Sequence, residues 1–547
     1  MMDVVTQSAR IFLAWAAYLM LAHNLGSFAM NRLGVSLSHD RPLFGLMVRC
    51  MVGLSWVAFI LGLCSFLLPV NAYIGAVLVV GSAALFVDGR IRADLSSAIS
   101  GLINWPLAAK AVGVLLFLMI LIISAGPSLN YDTGLYHVPF INWIQTFPVV
   151  PGLANLHGRF GFNSHWHLLE AALNGAPFLQ IPFNDLGGLF TLLLVISSVE
   201  SIVAIQRSNN TFLDLILALF IVPIYLLFRF LTSDSPDLPN AIFGFAVLCL
   251  VWAEGLDTRS KLLSMVMVGT LLVTFKVTAV FLLLAAFPYF ILASMRTRLL
   301  SVALGIILIG PWLGRNVVQT GYLVFPAKFT AVGNPDYRVP EADMDHMDKL
   351  LKAHGRHGTY AVERIDEPTS VWFMEWFNMQ TRVIQIILIL SVLLSIILSA
   401  RFAWEIIKGG FKNSSFNHLS LQVIMIISLI VWFAKGPNPR YIYGILIFYS
   451  AYLLSLAVMR TSKQLLWVFL VVGTLLSMNL FRIVLKEEPA PFDTPTLMSI
   501  ESGDALVMRP IGTDQCADAA LPCASIDVVG LEPRGKDLSD GFRIEGR

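Results

Sequence analysis

The chain has 547 residues, of which 57% are hydrophobic and only 13% charged, against roughly 25% charged in soluble domains. A mean hydropathy of +0.75 and recurrent long apolar runs exclude an ordinary soluble domain and indicate an all-α polytopic membrane protein. A net charge of +2 gives no argument for a nucleic-acid partner. With no Walker-type glycine loop and no dinucleotide fingerprint, ATP-driven pumping has no support either.

In chain order, the first apolar run, from Ile11 to Met30, is long enough to span and ends without a small-residue cleavage pattern, so it reads as a retained anchor. Further apolar runs follow at 44–68, 72–87, 107–125, 186–205, 211–230, 240–255, 262–275, 277–295, 299–314, 382–400, 418–434, 441–459 and 464–482. Together they predict about fourteen transmembrane segments. The short basic connectors, such as Arg32/Arg41, Arg90/Arg92, Arg259/Lys261 and Arg296/Arg298, all fall on one side if the segments alternate. That side is then cytoplasmic. Between 262 and 293 only Lys276 interrupts the apolar chain, and basic connectors at both ends demand an even number of crossings. Two short passes turning near Lys276 meet that demand.

The resulting plan is membrane segments in 1–125, a first large outer loop in 126–185, a central membrane core in 186–314, a second outer loop in 315–381, membrane segments in 382–482 and a small outer tail in 483–547. In the first loop, Leu135, Trp143 and Phe147 lie close to helical spacing, with Pro139 and Pro148 as punctuation. This pattern predicts an amphipathic helix lying in the interface. In the tail, Cys516 and Cys523 suit a disulfide if the tail is outside and two free thiols if it is inside; the charge pattern favours outside. Cys50, Cys64 and Cys249 sit within apolar runs and read as small hydrophobes.

The outer face gathers the residues able to do chemistry. Asp132 opens the first loop; it is either a helix N-cap or a carboxylate able to take a proton, and His137 is a second candidate base. Lys276, Arg315 and Arg440, with Arg159, Arg229 and Lys435, stand at outer ends of apolar segments or in outer loops. Each alone is explained by snorkelling to headgroups. Together, against the charge rule, they suggest a phosphate-binding site for a lipid-linked substrate. Arg315 follows Pro311-Trp312-Leu313-Gly314, a sequence expected to end its span. Asp234 and Asp237 lie in a connector on the same face, where they would bind a divalent cation, orient sugar hydroxyls, balance the cations or simply serve the turn. His165-x-His167 has zinc-like types without the matching ligand spacing. The metal and cofactor question stays open, with a divalent cation the one possibility the composition raises.

These motifs in this order resemble the GT-C superfamily of integral membrane glycosyltransferases, which use polyprenyl-phosphate sugar donors. Asp132 and Tyr136 match the acidic first outer loop of that superfamily, and Thr274-Phe275-Lys276 match its mid-chain lysine. Pro311, Trp312, Arg315, Asn316, Gly321, Tyr322 and Pro326 match a Pro-Trp-x-x-Arg-Asn…Gly-Tyr-x-x-x-Pro stretch, and Pro439-Arg440-Tyr441 a late Pro-Arg-Tyr element. The resemblance spans residues 107–460, and the stretch 131–162 is also similar to a bacterial membrane family linked to polysaccharide synthesis. It departs from the pattern in two respects: about four apolar segments precede the acidic loop instead of one, and the C-terminal region with Cys516 and Cys523 is too small to be the large soluble domain some members carry.

The resemblance implies a GT-C-like fold in the bacterial inner membrane, multi-pass, with a periplasmic functional face. The implied reaction moves a sugar from a polyprenyl-phosphate donor to an envelope glycan or lipid acceptor. Asp132 and His137 would be catalytic, Lys276, Arg315 and Arg440 would hold the donor phosphate, and Tyr136, Asp234, Asp237, Asn316 and Tyr322 would line the substrate. A polysaccharide polymerase or ligase would use the same chemistry. A lipid-linked glycan transporter would instead need ionisable groups in mid-membrane, whereas Lys110, Glu200, Asp214 and Glu254 stand near the inner ends of their segments.

Overall fold

Leucine-, isoleucine- and valine-rich runs of this kind fold as helices because a bilayer offers no water to an unpaired backbone. The computed structural model describes residues 2–37, 40–126, 128, 130–179, 186–208, 211–222, 226–227, 230–409, 413–460, 466–475, 495–502, 505–524 and 528–545. Among these, nine helices are long and apolar enough to cross a membrane: Val5–Arg32, Pro42–Cys64, Leu107–Ser124, Leu186–Gln206, Thr258–Phe275, Met295–Thr320, Arg382–Lys408, Ser415–Lys435 and Pro439–Met459. A bent pair, Ala72–Val87 with Gly89–Ile103, turns by 97° and raises the number to ten if it is one broken span. The protein is a multi-pass integral membrane protein that sits in a lipid bilayer.

The expectation of fourteen spans is therefore corrected. The run at 72–87 is one arm of the bent pair, whose corner is set by Asp88 accepting the Arg90 N–H as a cap. The runs at 240–255 and 277–295 form the shorter helices Asp237–Trp252 and Val277–Leu292, about 25 Å and about 29 Å long, the second stretched by its 3₁₀ portion Val277–Ala286. Among its described residues, the run at 211–230 forms the eight-residue helix Phe212–Leu219, with residues 223–225 and 228–229 outside the described set. The run at 464–482 is described only as the short helix Leu466–Leu475. Apolar length in the sequence overcounts full-length spans because a short helix buried in protein needs the same composition as one long enough to cross lipid.

Two further expectations change. Helix Met295–Thr320 runs straight through Pro311 and stops only at Gly321, whose φ of 85° closes it in the left-handed region, so Arg315 lies within the helix and not at its end. The helix Val138–Thr146 is not interfacial. Phe140, Ile141 and Trp143 are at most 2% exposed, so its apolar face is covered by protein instead of lipid.

Helices near the N-terminus pack with their backbones almost in touch. A Cβ on Gly26 would fall 1.8 Å from the Arg49 carbonyl oxygen, the small-residue contact typical of membrane helix pairs. Inside the bundle, Leu186–Gln206 has 89% of its apolar window buried, while Leu107–Ser124 has only 28% and Arg382–Lys408 only 33%. The first is a central helix; the other two turn apolar surface outward.

The bundle has two polar ends. At one, Arg41 grips Asp214 through two bonds of 2.6 and 2.7 Å, the Glu200 carboxylate accepts the Leu43 and Phe44 amides, and Arg259 donates to the Leu33 carbonyl. A cavity of about 160 Å³ opens there between Arg41, Thr211, Leu250 and Glu254. At the other end the loops 126–179 and 321–381 and the tail come together. The tail adds β structure to an otherwise helical chain: antiparallel strands Leu497–Ser502 with Ala505–Pro510, and Leu531–Pro533 with Phe542–Ile544.

Candidate functional site

The site is built where three short irregular segments meet the ends of apolar helices. Hydroxyls join the first two. Thr133 Oγ1 and Ser233 Oγ are 2.8 Å apart, Ser128 donates to Thr133 at 2.9 Å, and Asn130 Nδ2 donates to Ser233 at 2.9 Å. These bonds fasten the Asp132 loop to the turn that starts helix Asp237–Cys249. From Thr133 to His137 the backbone widens into a π-turn, with the Val138 N–H reaching back to the Thr133 carbonyl. Such single-turn bulges re-aim side chains and recur at functional sites.

Asp132 is not a helix cap. Its own backbone is helical and its side chain makes no cap hydrogen bond. One carboxylate oxygen instead accepts from Arg159 Nη1 at 3.2 Å, and the other pairs with Arg440 Nη1 at 3.0 Å. Arg159 is aimed by the turn Gly158–Phe162, opened where the His157 ring accepts the Arg159 N–H at 3.2 Å. Arg440 is aimed in the same manner by Asn438, whose side chain accepts the Arg440 N–H. Lys276 stands at the break where helix Thr258–Phe275 ends in extended backbone and pairs with Asp237. Asp237 in turn lies 4.0 Å from Arg440 Nε.

Arg440 therefore bridges two acid–base pairs. The carboxylates are 14% and 8% exposed, and the cations Arg159, Arg440 and Lys276 are 20–23% exposed. Three cations against two carboxylates leave one positive charge unbalanced. Aromatic rings floor the cluster: Tyr136 lies under Arg159 at 5.0 Å, and Tyr441 under Lys276 at 4.5 Å and under Arg440 at 5.5 Å. Cations over ring faces are attracted by the ring quadrupole, which holds them in place without neutralising them.

The second outer loop closes the site. Helix Glu341–His357 approaches the turn before Arg440 so closely that a Cβ on Gly355 would meet the Gly436 carbonyl carbon at 2.7 Å. This contact carries His354 and Tyr360 toward the cluster, where Arg159 Nη2 and the Tyr360 hydroxyl are 2.8 Å apart. His354 stacks on Tyr360 at 5.1 Å.

Behind the cluster lies a layer of buried imidazoles. His137 Nδ1 and His167 Nε2 are 2.8 Å apart, and His137 packs on Tyr136 at 4.1 Å. Burial, then the fields of Arg440, Arg159 and Lys276, hold His137 well below its ordinary value. Burial with Arg159 beside it brings His157 down to about 3, and burial also lowers His167. These rings are neutral at neutral pH. Burial pushes Asp234 up to about 7, and its Oδ1 has no hydrogen-bond partner.

Of the residues expected from sequence, Asp132, Tyr136, Asp237, Lys276 and Arg440 come together, with His137 and Asp234 behind them. Arg315, Asn316 and Tyr322 do not join them. Arg315 is 2% exposed and its Nε donates to Asn163 Oδ1 at 2.9 Å. Asn316 accepts from Asn163 and donates to the Leu323 carbonyl, and the Tyr322 hydroxyl donates to the Val339 carbonyl. These three brace the start of the second outer loop. Lys435 is exposed, and Arg229 lies outside the described residues. His165 and His167 diverge: His165 packs near Gly62 while His167 faces His137. Among the described residues no three His, Cys, Asp or Glu side chains group as metal ligands, and both cluster carboxylates that a divalent cation would use are already engaged by cations.

Tyr360 and His354 are members that sequence reasoning did not single out, and Tyr441 entered it only as part of the Pro439-Arg440-Tyr441 element. Arg159 was visible as an outer-face cation, but only tertiary closure brings it to Asp132. Cys516 and Cys523 are joined by a disulfide, and the loop they close sits on the Asp132 segment: Ala517 N–H donates to the Gly134 carbonyl at 2.8 Å and Asn142 donates to Asp518 at 3.3 Å.

In comparisons with known proteins, no curated protein and no solved structure matches the chain. One family model does, a domain of unknown function (DUF8201), over residues 9–447, a stretch that contains Asp132, Arg159, Asp237, Lys276 and Arg440. The chain belongs to that family.

Proposed function

We propose that the protein is a membrane glycosyltransferase that moves a sugar from a polyprenyl-phosphate donor to a glycan or lipid acceptor at the periplasmic face of a bacterial inner membrane. The observation that carries this reading is Asp132 held by Arg159 and Arg440 beside the Lys276–Asp237 pair, with one positive charge unbalanced. A phosphate entering the cluster competes with the carboxylates for the guanidinium of Arg440, which can grip it through two donors. Asp132, released on one side, accepts the proton of the acceptor hydroxyl as its oxygen bonds to the anomeric carbon. The bond from that carbon to the phosphate oxygen breaks, and Arg440 and Lys276 take up the charge left on the phosphate.

This assignment keeps Asp132, Arg440 and Lys276 in the roles the GT-C resemblance implies. It gives Arg159 the place expected for Arg315 and makes Arg315, Asn316 and Tyr322 scaffold. A polymerase or ligase of surface polysaccharide would use the same cluster with a longer donor. A flippase is disfavoured because the charges collect at the two ends of the bundle. Mass spectrometry of lipids that co-purify with the full-length protein tests the reading. A polyprenyl-phosphate sugar is expected with the wild type and should be lost from Arg440→Ala. Equal recovery from both would remove the cluster from donor binding.

A further inference from the structure

Two tyrosine rings next to the cluster stay in the open although their ends are tied down. Tyr131 is 58% exposed and Tyr360 53% exposed. Tyr131 immediately precedes Asp132; its hydroxyl donates to Asp514 and its carbonyl accepts from Gln515 Nε2 at 2.9 Å. Tyr360 shares Arg159 with Asp132, one guanidinium nitrogen serving the phenol and the other the carboxylate. Asp132 links the two rings: Tyr131 is its chain neighbour, and Tyr360 is joined to it through Arg159. Two fixed, exposed rings beside a carboxylate present apolar faces that a ligand can cover at little conformational cost.

Resting on the glycosyltransferase reading, we propose that Tyr131 and Tyr360 are the stacking platform for a pyranose ring of the acceptor. The apolar C–H face of a pyranose fits an aromatic face, while its equatorial hydroxyls need the polar groups standing at the rim: Asp132, Asp514 and Gln515. A hydrophobic floor with a few convergent polar groups is the usual make-up of a small-molecule site. The acceptor is thus a sugar, the growing glycan, and not the headgroup of a simple lipid. The tail contributes to the site by holding Tyr131, so the platform is assembled from the first loop, the second loop and the tail segment just before Cys516 together.

Saturation-transfer NMR on the detergent-solubilised full-length protein tests this, with the methyl glycosides of glucose, galactose and mannose as probes. Ring C–H protons of at least one probe should receive saturation, and Tyr131→Ala and Tyr360→Ala should each weaken binding about fivefold to tenfold. Tyr131→Phe, which keeps the ring, should retain binding and serves as the folding control alongside unchanged thermal melts. No saturation of any probe, or equal saturation in the folded double alanine variant, overturns the platform. Arg440→Ala separates this from the parent reading. It should still bind the probe while losing the co-purified donor lipid; equal lipid recovery would end the donor reading without touching the platform.

Discussion

At the scale of single residues, the cluster divides groups that act from groups that hold. Asp132 touches two guanidinium groups and no cap amide, so removing its charge should cost chemistry before it costs folding. Asp132→Asn is expected to reduce sugar transfer by about 10²–10⁴-fold, the range for a positioned general base, with the protein still eluting as a folded species. Transfer at near wild-type rate would dismiss it. Arg315 makes the opposite case. Inside its helix and bonded to Asn163, its loss should lower stability by about 1.5–3 kcal/mol, while the donor affinity of what remains folded is unchanged. A thermal melt and a donor titration on Arg315→Ala separate the two effects.

Asp234 allows a pH test. Its native value of about 7 stands above its ordinary 3.8, so between these values the native state binds more protons than the unfolded one. Stability from this group is therefore present at low pH and lost as pH rises through the window. Asp234→Asn has no such dependence. Its melting temperature relative to wild type should be higher at pH 8 than at pH 5. A difference that is flat or reversed across that range would mean the carboxyl is charged in the native state at both pH values. Lys276, Arg440, Asp132 and Asp237 were legible in the sequence because a charge at the end of an apolar run has few places to go. Arg315 was misread because Pro311 and Gly314 signal a stop. A proline inside a membrane helix is tolerated where neighbours re-satisfy the backbone, and here the helix continues for nine residues to Thr320.

At the scale of elements, the site depends on segments far apart in sequence being fastened to one another. The first loop is tied to the 230–237 turn by hydroxyls, to the second loop through Arg159 and Tyr360, and to the tail through Ala517 and Asp514. None of these contacts follows from periodicity, which reports one element at a time. The buried helix Val138–Thr146 is an instance: its spacing resembled an interfacial helix because periodicity does not say whether lipid or protein covers the apolar face. The disulfide-closed loop gives this level its own prediction. Closing residues 516–523 removes roughly 2–3 kcal/mol of unfolded-chain entropy. Without it, the Ala517 to Gly134 bond loses its anchor. In Cys516→Ser/Cys523→Ser, amide hydrogen exchange in the π-turn 133–137 should quicken while exchange in helix Leu186–Gln206 stays as it was. Unchanged exchange in the π-turn would make the tail a passenger.

At the scale of the whole molecule, composition identified a membrane protein but overcounted its helices of full spanning length. Helix Asp237–Trp252 explains why. Asp237 stands beside Lys276 and Arg440, while Leu250, just before its end, lines the cavity with Arg41 and Thr211. This short helix thus reaches from one polar end of the bundle to the other, although it lacks the length of a full span in contact with lipid. It manages this because it is buried in protein, where the bilayer's thickness does not set its length. What survives the revised count is the polarity: carboxylate–arginine locks at the Arg41 end and the Asp132 cluster at the other. A membrane between the two ends requires opposite accessibility. Arg296→Cys, in the connector before helix Met295–Thr320, and Thr359→Cys, next to Tyr360, should react with a membrane-impermeant maleimide from opposite sides of oriented vesicles. Thr359→Cys should react from the side that carries the disulfide. By the charge rule Arg296 is expected on the cytoplasmic side, so labelling of both positions from one side would break the link between charge and orientation on which the proposed periplasmic site rests.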